Sequence, residues 1–407
     1  MSFRVIRDIV ADTSKVSRAQ TIPTSLLPQI SKGEVAFNST SNLFYGKANR
    51  GSVPLSTSLL STINVGVTPA GIAISADGTK AYVANNNNYG IEYEDGSACD
   101  SVTVIDLITK LPIKTITDPS FDQPYTITLS IDGSKAYVTN SNGSTITIIS
   151  TATDTVIDTI TGFDGPSGMV ITPDGLIGYV NNYGGPIAGS GNGTTVRVVD
   201  LVVDDIIGPP ITVGLAPASL AITPNGDWVY TINYQTGVAD GTMSVISTSD
   251  NTSTVNAMSG LSGPFGIAIT PDGLTACVTN FGSNNFTPIG TTLSIISLSA
   301  PTAPVITDTI NLGIQPSGVA ITPDGKWVYV SNYNTLYTII TGGEDPSYSG
   351  LTAGQGTVTA INLETLEVSP DNIFVGQSPD FIAIYPNGSN ALVSNWTSNT
   401  VSVIALV

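Results

Sequence analysis

The chain has 407 residues, 13 basic and 31 acidic side chains, a net charge of −18 and no histidine. That acidity excludes nucleic-acid binding through phosphates, which needs clustered lysine and arginine. The missing histidine excludes every Ser-His or Cys-His nucleophile pair and every histidine-held metal. Apolar residues suffice for a core, while Gly, Thr, Ser and Asn abound among few charges, a mix suited to short strands joined by tight turns. No run of about 18 apolar residues is present to cross a membrane.

Charge divides the chain. Residues 1–50 hold seven of the basic residues (Arg4, Arg7, Lys15, Arg18, Lys32, Lys47, Arg50) against Asp8, Asp12 and Glu34. The remainder is strongly acidic. This polarity suggests a basic end that docks and an acidic end that faces outward. Chance asymmetry in a short segment is the alternative. The opening residues, Met1-Ser2-Phe3-Arg4-Val5-Ile6-Arg7-Asp8, lack the uninterrupted apolar stretch of a secretory signal. Further on, Ser31-Lys32-Gly33-Glu34-Val35-Ala36-Phe37-Asn38 followed by Asn42-Leu43-Phe44-Tyr45-Gly46 reads as a β-hairpin.

From Pro69 onward one pattern recurs seven times: a proline, an apolar strand, an Asp-Gly or Asn-Gly turn, and a second strand ending in asparagine. The prolines are Pro69, Pro124, Pro166, Pro217, Pro264, Pro316 and Pro379. The turns begin at Asp77, Asp132, Asp174, Asn225, Asp272, Asp324 and Asn387, and the closing asparagines are Asn85, Asn140, Asn182, Asn233, Asn280, Asn332 and Asn395. Self-similarity at roughly 40–60 residues built from short strands predicts a propeller. Repeat 2 divides into four strands: Tyr125–Ser130, Lys135–Asn140, Ser144–Ser150 and Thr155–Ile160. The Asp-Gly pairs predict two-residue hairpins, with glycine at positive φ. The last repeat shows only three strands, and Thr57–Asn64 resembles the missing outer one. Pairing the two ends in this way would remove the last open edge. The expectation is therefore all-β: residues 1–56 as a docking segment with a hairpin, and residues 57–407 as a seven-bladed propeller of four-stranded blades.

Two resemblances follow from these residues. Lys135-Ala136-Tyr137-Val138-Thr139-Asn140, with Pro166-Ser167-Gly168-Met169-Val170-Ile171-Thr172-Pro173-Asp174-Gly175, resembles the YVTN-type β-propeller repeat. That family implies extracellular binding more often than catalysis, as in surface-layer proteins and adhesins. The hairpin at residues 31–46 resembles an element near the N-termini of bacteriophage tail-fibre and receptor-binding proteins, which implies a virion component. Its alternative is an ordinary hairpin leading into the propeller.

Function is sought in the departures from the repeat. Long insertions follow the closing asparagine at residues 86–100, 183–193, 281–290 and 333–356, where variable loops on a rigid scaffold usually bind. In five repeats the residue after the asparagine is aromatic: Tyr183, Tyr234, Phe281, Tyr333 and Trp396. These are the candidate ligand-binding residues, an arc around the channel mouth suited to sugar. The alternative is that the rings pack between blades. Glu92, Glu94, Asp95 and Asp100 offer oxygens to calcium but match no defined loop, so a solvated acidic loop is preferred. Cys277 replaces the tyrosine of neighbouring repeats and reads as a buried strand residue, unpaired with Cys99.

The expectation is a non-enzymatic virion appendage, a tail fibre or decorating protein, without cofactor or metal. Its partners are other virion proteins through residues 1–56 and host-surface glycan or protein through the head, with no nucleic acid and no membrane insertion. A homo-oligomer fits such a role, although no heptad marks one. The alternatives are a cell-surface or surface-layer adhesin, and a carboxylate-dependent glycoside hydrolase.

Overall fold

Every repeat proline opens a strand and lies opposite its closing asparagine. The register pairs Pro69 with Asn85, Pro124 with Asn140, Pro166 with Asn182, Pro217 with Asn233, Pro264 with Asn280, Pro316 with Asn332 and Pro379 with Asn395. Proline donates no hydrogen bond, so the first position of a strand suits it. The computed structural model describes residues 58–87, 100–185, 191–235, 240–282, 289–334 and 355–406. It also describes the backbone of the short strands Phe3–Ile6, Val35–Asn38, Leu43–Ala48 and Gly51–Pro54.

Those four short strands form one antiparallel sheet in chain order, with Phe37 opposite Phe44 in its central hairpin. The rest is a seven-bladed β-propeller. Blades 1 to 6 span residues 69–116, 124–161, 166–212, 217–261, 264–311 and 316–377, each a four-stranded antiparallel sheet in sequential order. Blade 2 consists of Pro124–Leu129, Lys135–Asn140, Thr145–Ser150 and Thr155–Thr161. These bounds differ by a residue or so from those read off the apolar alternation.

Blade 7 takes Pro379–Ile384, Asn390–Asn395 and Thr400–Ala405 from the C-terminus, and its outer strand, Leu59–Asn64, from the other end of the propeller. Asn64 pairs with Thr400, and Ile63 with Val401. Ile63 is buried in one cluster with Val401 and Val403. The closure expected from Thr57–Asn64 is thus the one observed.

The hairpin turns differ from the two-residue form. Gly78 N–H donates to Ser75 O, and Ser75 N–H to Lys80 O, so the loop holds four residues. Gly78 takes the positive φ (69°), while Asp77 keeps the ordinary sign. The aspartate serves instead as an acceptor. Its Oδ1 receives the Ser75 hydroxyl (2.6 Å) and the Thr79 amide (3.0 Å), and these bonds, the serine's first, hold its carboxyl down at about 2. The same arrangement recurs with Ser130 and Asp132, Thr172 and Asp174, Thr270 and Asp272, and Thr322 and Asp324.

Two further devices order the sheet. The asparagine side chains tie the second strand to the third: Asn85 Nδ2 donates to Ser101 (3.0 Å) and Thr103 (2.9 Å), and Asn332 Nδ2 to Thr357 (3.1 Å) and Thr359 (2.9 Å). Buried amides need such partners. The second device joins blades. Tyr82 donates to Asp154 at 2.6 Å, Tyr137 to Asp204 at 2.9 Å, and Tyr179 to Asn251 at 2.7 Å, each from one blade to the outer hairpin of the next. Lys80 and Lys135 bind the same two aspartates. In blade 5 the tyrosine position is Cys277, fully buried, with its thiol pushed up to about 12 by burial. Leu366 of blade 6 packs against its cluster.

Candidate binding site at the channel mouth

The first strand of each blade lines the central channel, and the strands crowd one another there. A Cβ on Gly266 would lie 2.5 Å from Ser317 O, and one on Gly318 would lie 2.4 Å from Asp380 O, so glycine at these positions allows the backbones of neighbouring blades to approach. The strands enclose a cavity of about 210 Å³.

The residue after each repeat proline varies around the ring: Ala70, Tyr125, Ser167, Ala218, Phe265, Ser317 and Asp380. Among them Tyr125, Ser167, Ala218, Phe265 and Ser317 line the cavity. Tyr125 of blade 2 meets Phe381 of blade 7 edge to face, with centroids 5.5 Å apart at 82°. Aromatic pairs favour this geometry. Burial lifts the Tyr125 hydroxyl well above its ordinary range, reinforced by the Asp380 carboxylate and then by the Tyr183 and Tyr333 hydroxyls. Residues from blades 2, 3, 6 and 7 therefore share one electrostatic neighbourhood. Asp380 itself is buried, and burial alone raises its carboxyl to about 7.

None of the five residues expected as ligand contacts lines the cavity; each follows a closing asparagine, at the end of the blade where the repeat proline stands, and they are in two different states. Tyr183 and Tyr234 are buried in one cluster with Ala216, at the boundary between blades 3 and 4. The Tyr234 hydroxyl donates to Gly282 O of blade 5 at 2.6 Å, so its polar end is engaged inside the protein. Phe281 and Tyr333 are half-buried and in edge contact at 6.0 Å across the boundary of blades 5 and 6, and Phe265 lies 5.3 Å from Phe281. Trp396 is half-buried, and its backbone N–H donates to Ser378 O. Packing between blades and access to solvent thus divide among the five residues.

The same face carries a second feature. Asp100, just ahead of the third strand of blade 1, accepts the Gln123 amide at 3.2 Å. Burial raises its carboxyl to about 6 against the pull of that bond, with the Asp122 charge adding to the rise. Asp122 receives both of its contacts from Asn142 Nδ2, at 2.9 and 3.0 Å. Among the described residues no three Asp, Glu or Cys side chains converge as metal ligands. Glu92, Glu94 and Asp95, and most of the insertions after the asparagines, lie outside the described residues, as does Cys99.

Tyr125, Phe265, Phe381 and Asp380 were not among the residues expected from the sequence. A signal for Tyr125, Phe265 and Asp380 is present, since the position after the repeat proline changes from small to aromatic to acidic around the ring; Phe381 stands one residue further on.

Fold and mouth together define a seven-bladed propeller whose channel carries the rings of Tyr125, Phe265 and Phe381. A solved structure of hydrazine synthase from Kuenenia stuttgartiensis has a similar fold, at 21% identity and a TM-score of 0.62, over 84% of this chain and 96% of that one. No family model matches the chain, and no curated protein does.

Proposed function

We propose that this chain is a non-enzymatic virion appendage, a tail fibre or decorating protein, whose propeller head holds host-surface carbohydrate or protein at the channel mouth. The observation that supports the reading is that Phe281, Tyr333 and Trp396 are half-exposed while Tyr183 and Tyr234, at the same repeat position, are buried. A rigid ring offers apolar area without much loss of side-chain entropy, and sugars with one apolar face use such surfaces. The basic segment at residues 1–50 supports docking onto a larger assembly. Mass spectrometry of purified virions tests the assignment: the chain is expected as a stoichiometric component, and its absence from pure particles refutes the virion role.

A second reading, carboxylate-dependent glycoside hydrolysis, has one observation in its favour. Asp100 is raised to about 6 by burial, with the Asp122 charge adding to the rise, as a general acid requires. Hydrolysis of a glycan by the wild type, abolished in Asp100→Asn, would establish it over the binding role.

A further inference from the structure

Asp380 is a carboxyl without a countercharge among the described residues. It is 4% exposed. Among the described residues the ion pairs are Lys80 with Asp154, Lys135 with Asp204 and Lys326 with Asp324, and no cation reaches Asp380. Its carboxyl oxygens take no hydrogen bond among those residues, although its main-chain oxygen accepts the Ser317 and Ser331 hydroxyls. A buried carboxylate in this condition is costly unless something pairs with it. Asp380 lies directly behind the cavity wall: its chain neighbour Phe381 and the Ser317 that bonds to its main-chain oxygen both line the cavity, and its charge bears on the Tyr125 hydroxyl, a third lining residue.

We propose that the channel mouth binds an organic ammonium group, with Asp380 as its counterion and the rings of Tyr125, Phe381 and Tyr333 as its wall. The chemistry selects this class. A calcium ion needs six or more oxygens, and one carboxyl among aromatic rings does not supply them. An anion meets a carboxylate and an acidic head. A neutral hydroxyl can bond to the carboxyl but leaves its charge unpaired. An ammonium group satisfies the charge and is attracted by the negative faces of the rings. The acidic head also concentrates cations at its surface. The inference rests on reading this mouth as a binding surface, and adds that the ligand carries positive charge there.

Choline chloride is the probe, titrated into the full chain at pH 8 and constant ionic strength, with tyrosine and tryptophan fluorescence as readout. The wild type is expected to bind saturably with a Kd of roughly millimolar order. Asp380→Asn is expected to weaken binding at least tenfold while its near-ultraviolet circular dichroism is retained, and Tyr125→Leu to weaken it several-fold. Absence of saturable binding, or equal binding by folded Asp380→Asn, overturns the proposal. Should Asp380→Asn fail to fold, unaltered binding by Tyr125→Leu overturns it in the same way. Glycan binding that persists where choline does not bind removes the ammonium assignment and leaves the surface reading intact; loss of both removes both.

Discussion

The Tyr82 hydroxyl of blade 1 donates to Asp154 Oδ1 of blade 2 at 2.6 Å, while Lys80 binds the other oxygen of the same carboxylate at 2.9 Å. One outer hairpin thereby holds the neighbouring blade at two points. In blade 5 the tyrosine becomes Cys277, and the matching hairpin of blade 6 presents Leu366, so a polar contact is replaced by an apolar one on both sides at once.

Breaking this contact on one side should cost stability. Asp154→Ala leaves the Tyr82 hydroxyl and the Lys80 ammonium with only the Thr151 main-chain oxygen, at 3.5 and 3.2 Å, as acceptor, a loss of about 1–2 kcal/mol. Denaturant unfolding of the single variants and of Tyr82→Phe/Asp154→Ala measures it. Their coupling should be on the order of 1 kcal/mol, and strict additivity would show that the contact contributes nothing.

Closure of the ring rests on Leu59–Asn64. Ile63→Ala should destabilise the fold by about 3 kcal/mol, since a buried aliphatic side chain is removed from a packed cluster. Removal of residues 58–64 exposes the edge of Thr400–Ala405, so the truncated protein should aggregate on concentration, visible by light scattering.

Lys110 sits in an outer turn at φ 58°, a conformation that costs an L-residue energy and a glycine little. Lys110→Gly should raise stability by roughly 0.5 kcal/mol, the relieved strain outweighing the added chain entropy. A thermal unfolding scan that shows destabilisation would contradict the strain argument.

Asp380 should give stability an unusual pH dependence. Its folded value of about 7 lies above the ordinary 3.8, so between those values the folded state binds more protons than the unfolded one. Stability is therefore full below about pH 4 as far as this group is concerned, and falls as pH rises through 7, by up to about 4 kcal/mol. The surface aspartates Asp77 and Asp132, held down at about 2, act in the opposite sense but only in the acid region between 2 and 4. Asp380→Asn should gain stability at pH 8 relative to wild type and lose the slope between pH 5 and 8. A parallel slope in the two proteins would show that Asp380 is not the titrating group.

Much of this architecture was legible because it repeats. The proline, the Asp-Gly turn and the asparagine fix the first two strands of each blade, and the absent outer strand of the last repeat pointed to residues 57–64. The interblade contacts were not legible in the same way. Asp154 and Asp204 lie 72 and 67 residues from the tyrosines they bind, and only the closed ring brings them together. The loop length at Gly78 is not legible in the sequence, because an Asp-Gly pair marks positive φ at the glycine without specifying how many residues the turn holds. Of the site, the aromatics after the asparagines are legible, but Asp380 is not: an acidic residue after a proline acquires meaning only once the fold buries it beside Ser317, Phe381 and Tyr125 of the channel wall.

The central claim is that this mouth is a binding surface. Its most direct measurement is a glycan array probed with the wild-type head and with Phe281→Ala/Tyr333→Ala/Trp396→Ala, which removes the half-exposed rings and spares the buried Tyr183 and Tyr234. The account predicts a defined set of retained glycans for the wild type and at least a tenfold loss for the variant, with the fold unchanged by circular dichroism. Wild-type binding left intact in the variant, or no retained glycan at all, would contradict it.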